Sequence, residues 1–145
     1  MRKCWSMAVA LCGVIGVLPA AQAQDEGKTT RGEAWVSGGG LDKERVSLRQ
    51  ERKKFTLWVQ TGASSGSSVP ESAVRITTPG GGMVLDAHMT GPWLFVDLQA
   101  GEYSVAVSAG GDTETRRTFI HKGDHTEMVF FFDDSMSLRP AAAPR

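Results

Sequence analysis

The 145-residue chain carries 16 basic and 16 acidic residues, so its formal net charge is zero, and 41% of it is hydrophobic. A neutral chain has no general electrostatic grip on nucleic acid, and two cysteines fall short of a four-thiolate metal site. The length allows one domain large enough to bury a core without staples.

Residues 1–23 read as a secretory signal peptide. Arg2 and Lys3 form a short basic region, Met7 to Leu18 an apolar run too short to span a bilayer, and Ala21-Gln22-Ala23 a small-residue cleavage site. Cleavage near Ala23 removes Cys4 and Cys12 and leaves a cysteine-free, slightly acidic chain in the periplasm or outside the cell, with no stable membrane insertion. Leu11, before Cys12, is not the small residue that lipid attachment wants.

Residues 24–32 are polar and are expected to be a flexible leader. Residues 33–54 form an N-terminal extension. It holds a short strand, Glu33 to Val36, then a turn at Ser37-Gly38-Gly39-Gly40, then a helix from Leu41 to about Lys53. Asp42 and Glu44 in the first turn and Arg52, Lys53 and Lys54 at the end follow the order that the helix dipole favours. The apolar stripe is thin, with Leu41, Leu48 and Phe55, so the helix is expected to lie on a surface.

From Phe55 the period changes to two, and residues 55–133 read as a β-sandwich domain. Phe55, Leu57 and Val59 alternate with Thr56, Trp58 and Gln60; Val74 and Ile76 follow a Gly/Ser loop; Met83, Leu85 and Ala87 follow Pro79-Gly80-Gly81-Gly82. The organising stretch is Gly91 to Val107, read as a hairpin in which Leu94, Val96 and Leu98 join Tyr103, Val105 and Val107 in one buried wall. Gly101 frees its corner, and the Tyr103 hydroxyl is within reach of the backbone.

Thr113 to Ile120 and Glu127 to Phe132 complete the set, joined by His121-Lys122-Gly123-Asp124-His125 as a hairpin turn. Arg116 and Arg117 suit an edge strand; Met128, Phe130 and Phe132 suit an interior one. The expected fold is all-β, a seven-stranded antiparallel Greek-key β-sandwich with one short N-terminal surface helix. Residues 134–145 are expected to be a disordered tail.

The run Leu98-Gln99-Ala100-Gly101-Glu102-Tyr103-Ser104-Val105 resembles the L-x-x-G-x-Y-x-V corner of carboxypeptidase regulatory-like domains, part of the transthyretin-like (prealbumin-like) group, and the Asp86-Ala87-His88 to Gly91-Pro92-Trp93 segment fits the same pattern. The whole chain resembles small exported proteobacterial proteins that carry this domain alone. The resemblance implies a transthyretin-like sandwich from about Phe55 to Phe132 and an accessory role in contact with carbohydrate or protein. It does not extend to the catalytic signatures of the group's enzymes. None of His88, His121 or His125 begins a His-x-x-Glu pair, and the only tyrosine is Tyr103, so a terminal Tyr-Arg-Gly-Ser is missing.

No catalytic residue, cofactor or metal is therefore expected. His121 and His125 flank a turn but lack the further ligands of a structural metal site, and the serines are read as lying outside any Gly-x-Ser-x-Gly elbow, those of the 62–68 loop marking flexibility. Ser37, Gly38 and Gly39 precede the helix and offer amides to an anion, although a tight turn that folds the helix back is the preferred use.

Trp93 and Phe95 share the strand face opposite Leu94, Val96 and Leu98, so something must cover them. Either the helix or Trp35 packs there, or the two rings form a binding platform with Trp58. The candidate binding residues are thus Trp93, Phe95, Trp58, Trp35, Ser37, Gly38 and Gly39. The expected function is a non-catalytic periplasmic binding or interaction module whose partner is a carbohydrate or an envelope protein. The alternatives are a diverged transthyretin-like hydrolase and a self-associating structural envelope protein.

Overall fold

Strands with one apolar face need a second apolar layer, and here two sheets supply it to each other. The computed structural model describes residues 25–66, 69 and 71–133; the signal segment 1–23 and the tail 134–145 lie outside the described residues. The elements in order are β1 (Asp25–Lys28), β2 (Ala34–Gly38), helix α1 (Asp42–Glu51) with a 3-10 turn (Arg52–Lys54), β3 (Leu57–Ala63), β4 (Ser72–Thr77), β5 (Met83–Met89), β6 (Trp93–Val96), β7 (Gly101–Ala109), β8 (Asp112–Ile120) and β9 (Thr126–Phe132). One sheet has the order β1-β2-β6-β3-β9 and the other β5-β4-β7-β8.

The described residues thus hold nine strands rather than seven, because β1 and β2 extend the larger sheet beyond β6. Asp25–Lys28, expected to be part of a flexible leader, pairs antiparallel with β2. With the sequence DEGK it has no apolar period to announce it, and its place depends on backbone hydrogen bonds.

The six residues of the expected wall, Leu94, Val96, Leu98, Tyr103, Val105 and Val107, are all buried in one cluster. They do not sit on a hairpin: β6 belongs to the larger sheet and β7 to the smaller, so the Leu98 to Gly101 corner is an arch between layers. Burial drives both arrangements equally, because two facing strands bury a wall as well as two paired ones. The 121–125 turn is likewise a crossing from β8 to β9 in the other sheet, where β9 pairs parallel with β3 from Leu57↔Thr126 to Ala63↔Phe132. An all-antiparallel sandwich is therefore corrected at this pair.

Tyr103 closes the corner. Its ring is buried, its hydroxyl donates to the Gln99 carbonyl at 2.7 Å, and it accepts from Arg31 Nη2 at 2.7 Å. Arg31 also forks onto Glu33 at 2.7 and 2.9 Å, and Glu33 accepts the Gln99 amide at 2.7 Å. The bond to Glu33 first, then the one to Tyr103, holds the Arg31 guanidinium above its ordinary pKa. This network pins the β1–β2 turn to the β6–β7 arch. On β5 a bulge opposite Ile76/Thr77 buries both Val84 and Leu85 and turns Met83 outward, where strict alternation had placed it with the core.

Strand β8 is an edge, as its arginine pair suggested, but so is β9, expected to be interior. Met128, Phe130 and Phe132 are buried by the opposite sheet, not by neighbours on both sides. Arg116 closes the gap between the two edges: its guanidinium lies 4.7 Å from the Phe130 ring centroid, pairs with Glu114 and donates to the outward Val129 carbonyl at 2.8 Å. Arg116→Ala is expected to lower stability by about 1 kcal/mol and to expose β9 as a pairing edge. Sedimentation velocity should then show concentration-dependent association absent from the parent; a strictly monomeric variant would refute the edge-guarding role.

Candidate functional site: the roofed outer face of the larger sheet

Alternation on β6 sends Trp93 and Phe95 to the outer face of the five-stranded sheet. Register places Phe95 between Val36 and Trp58, and Trp93 between Gly38 and Gln60. Helix α1 lies over this face. Leu48, its one buried residue, is fully enclosed in a second cluster with Val36, Phe55 and Phe95, against which Ala34, Trp58 and Trp93 pack. The rings form a row: Phe95 lies 6.1 Å from Phe55, 6.3 Å from Trp58 and 6.0 Å from Trp93.

The glycine turn makes the roof possible. Gly39 has φ +89°, and a Cβ there would stand 3.1 Å from the Trp93 ring. The Ser37 hydroxyl donates to the Trp93 carbonyl at 3.1 Å and accepts the Thr90 amide at 3.2 Å. Two amides of the turn are taken internally: Glu44 Oε2 accepts from Gly39 N at 3.2 Å and Leu41 N at 3.4 Å, while Arg45 Nε donates to the Gly39 carbonyl at 2.7 Å. Ser37, Gly38 and Gly39 are accordingly buried and serve the fold-back of the helix.

Of the seven candidates, the fold brings Trp93, Phe95 and Trp58 into one row, with Ser37, Gly38 and Gly39 beside Trp93. Trp35 stands apart, facing the main core on the opposite side of its sheet, so it does not cover the row. Phe95 is buried, and the two half-buried tryptophans are already engaged. Trp93 has Gly39 against its ring and the Arg49 guanidinium 5.6 Å from its centroid. Trp58 has Arg52 at 4.7 Å, His125 stacked at 5.0 Å, and its Nε1 donating to the Arg52 and Phe55 carbonyls at 2.9 and 3.1 Å. Of the two expected arrangements, cover by the helix is the one present, and the three rings form a packed layer rather than an open platform.

The most exposed ring on this face is one that sequence reasoning passed over. Phe131 is 63% exposed, and register sets it opposite Gly62, where a Cβ would be 3.5 Å from the ring. Beside it run Val129 opposite Gln60 and Glu127 opposite Trp58, with Gln60 Nε2 donating to Glu127. The signal was the triplet Phe130-Phe131-Phe132, whose middle ring must point away from the core. Gly62 opposite it was hidden, since nothing local pairs β3 with β9.

The histidines do not converge. His88 is exposed on β5, at one edge of the smaller sheet, level through Ala73 and Ser108 with Thr113 on β8; His121 follows the far end of β8 at the other edge, three strand spacings across and a strand length along, about 30 Å away. His125 Nδ1 lies 2.8 Å from the Phe55 carbonyl, which can only accept, so that nitrogen carries the proton. Among the described residues no three His, Cys, Asp or Glu side chains are placed to share a metal ion.

Gly62-Ala63-Ser64-Ser65-Gly66 does match Gly-x-Ser-x-Gly letter for letter, against the reading of a loop without that pattern. Here it leaves β3 as a turn leading to β4, with Ser64 bonded through N and Oγ to the Phe132 carbonyl at 2.9 and 3.3 Å, not as a strand-to-helix elbow. A shallow cavity of about 220 Å³ on the smaller sheet is lined by Ala73, Ala106, Ser108 and Thr113 beside the Arg75–Asp86 ion pair at 3.0 Å.

No known protein-family profile matches the chain, and no curated protein matches it.

Proposed function

We propose that the chain is a non-catalytic exported binding module, a transthyretin-like β-sandwich at the cell envelope, whose ligand surface is the part of the larger sheet's outer face that α1 leaves uncovered. The observation that carries this reading is Phe131 lying over Gly62 with its ring largely in solvent, next to the amide and carboxylate of Gln60 and Glu127. A flat ring flanked by hydrogen-bonding groups suits the face of a sugar and its hydroxyls.

Phe131→Ala removes a mostly exposed side chain, so stability is expected to change by less than about 1 kcal/mol. Binding of a panel of gluco-oligosaccharides and N-acetylglucosamine oligomers, followed by calorimetry, is expected to weaken at least about tenfold. A parent protein that binds none of them contradicts the carbohydrate reading. Self-association is the second reading, favoured by the apolar edge strand β9 beside the same ring. Sedimentation separates the two: a dimer of the parent that Phe131→Ala dissolves supports self-association.

A further inference from the structure

The helix that roofs the aromatic row carries more positive charge than its packing role requires. Residues 42–54 hold six cations, Lys43, Arg45, Arg49, Arg52, Lys53 and Lys54, against three acids, Asp42, Glu44 and Glu51, a surplus of three in a chain whose total charge is zero. Glu44 is turned into the glycine turn, and Arg45 is occupied by the Gly39 carbonyl and by Asp42 at 3.8 Å. Among the described residues none of Lys43, Arg49, Arg52, Lys53 and Lys54 has a carboxylate within ion-pair distance. The helix dipole accounts for cations at the C-terminal end; it disfavours Lys43 in the first turn.

Two of these charges are held in place. Arg49 and Arg52 lie over Trp93 and Trp58 at 5.6 and 4.7 Å, and a guanidinium stacked on a ring keeps its N–H edges free for phosphate oxygens. The rings thus serve the arginines rather than a ligand. Opposite Leu48, the helical period brings Asp42, Lys43, Val46 and Gln50 to the crest, with Lys53 following in the 3-10 turn; Val46 is 56% exposed there, and Leu41, at the start, is 51% exposed.

We infer that the exposed side of this helix docks the protein on an anionic lipid surface, Lys43 and Lys53 on the crest and the outer N–H edges of Arg49 and Arg52 on its flank contacting headgroup phosphates while Val46 reaches the interface. A convex ridge about 15 Å long, with charge spread along it and apolar side chains among the cations, fits a plane of phosphates better than a small anion, which needs a cleft. Among the described residues no helix is long and apolar enough to cross a membrane, so the contact is peripheral. The surface is distinct from the Phe131 strip, and either can fail alone.

The test is cosedimentation of the full chain with phosphatidylcholine vesicles, with and without about one-third phosphatidylglycerol. Any contribution of residues 1–23 is common to all variants compared. Anionic vesicles are expected to bind the parent at least about tenfold better than neutral ones, with the difference lost near 0.5 M salt. Combining Arg49→Gln, Arg52→Gln and Lys53→Gln is expected to weaken that binding at least about tenfold, while the charge-matched set Lys28→Gln, Arg117→Gln and Lys122→Gln leaves it within about twofold. Equal loss in both sets, no loss in either, or no preference for anionic vesicles overturns the inference. So does binding to soluble polyphosphate without binding to vesicles.

Discussion

Gly91→Ala is expected to destabilise the protein by more than about 3 kcal/mol, for the addition of one methyl group. A Cβ on Gly91 would stand 2.5 Å from the Gly38 carbonyl carbon and 2.9 Å from the Gly40 nitrogen, and both are backbone atoms that no rotamer change can move. The clash falls where β2 leaves its sheet to start the helix. Relief therefore means shifting the Ser37–Thr90 bonds or lifting the turn away from Trp93. At roughly 4–8 °C per kcal/mol for a domain of this size, the melting temperature is expected to fall by about 12 °C or more. Gly80→Ala is the control: open space surrounds that position, and the expected change is close to zero. A Gly91→Ala variant melting within about two degrees of the parent would show that the β2–helix turn is free to move.

Leu48→Ala is expected to cost about 2–5 kcal/mol and to act on one layer more than the other. Leu48 is the only residue of α1 that is fully buried, and it is the side chain through which the helix joins Val36, Phe55 and Phe95. Emptying its place removes the reason for the helix to lie on the sheet, since an isolated helix of ten residues is marginal in water. Hydrogen exchange is the discriminating measurement. Amides of Asp42–Glu51 are expected to lose protection while those of β7 keep theirs, and tryptophan emission is expected to shift to the red as Trp93 and Trp58 become wet. Val46→Ala, on the exposed crest, is expected to change stability by less than about 0.5 kcal/mol. Uniform loss of protection through both sheets would mean that the roof and the core unfold as one unit.

Much of what these variants probe was legible along the chain. Strict alternation identified the buried faces of β3 and β7, and both appear with every second residue enclosed. The same rule put Trp93 and Phe95 on the outer face, and the thin stripe of the helix pointed to a surface location. The Tyr103 hydroxyl bond to the backbone also follows from a tyrosine at a glycine corner. Met83 was misplaced because a bulge breaks the period that located its neighbours. Strand β1 was missed because its four residues contribute backbone alone.

The sequence by itself determined which side of each patterned strand is apolar and where the helix begins. Only the tertiary structure decided which sheet each strand joins, that β9 runs parallel to β3, and that Trp93 and Trp58 hold arginines instead of standing open. The reason is physical. A period of two is a local property that fixes a face, whereas pairing and coverage depend on contacts between segments far apart in sequence, such as Gly62 with Phe131 or Leu48 with Phe95. Several partners satisfy the same hydrophobic demand, and the choice among them lies in the closure of the whole core.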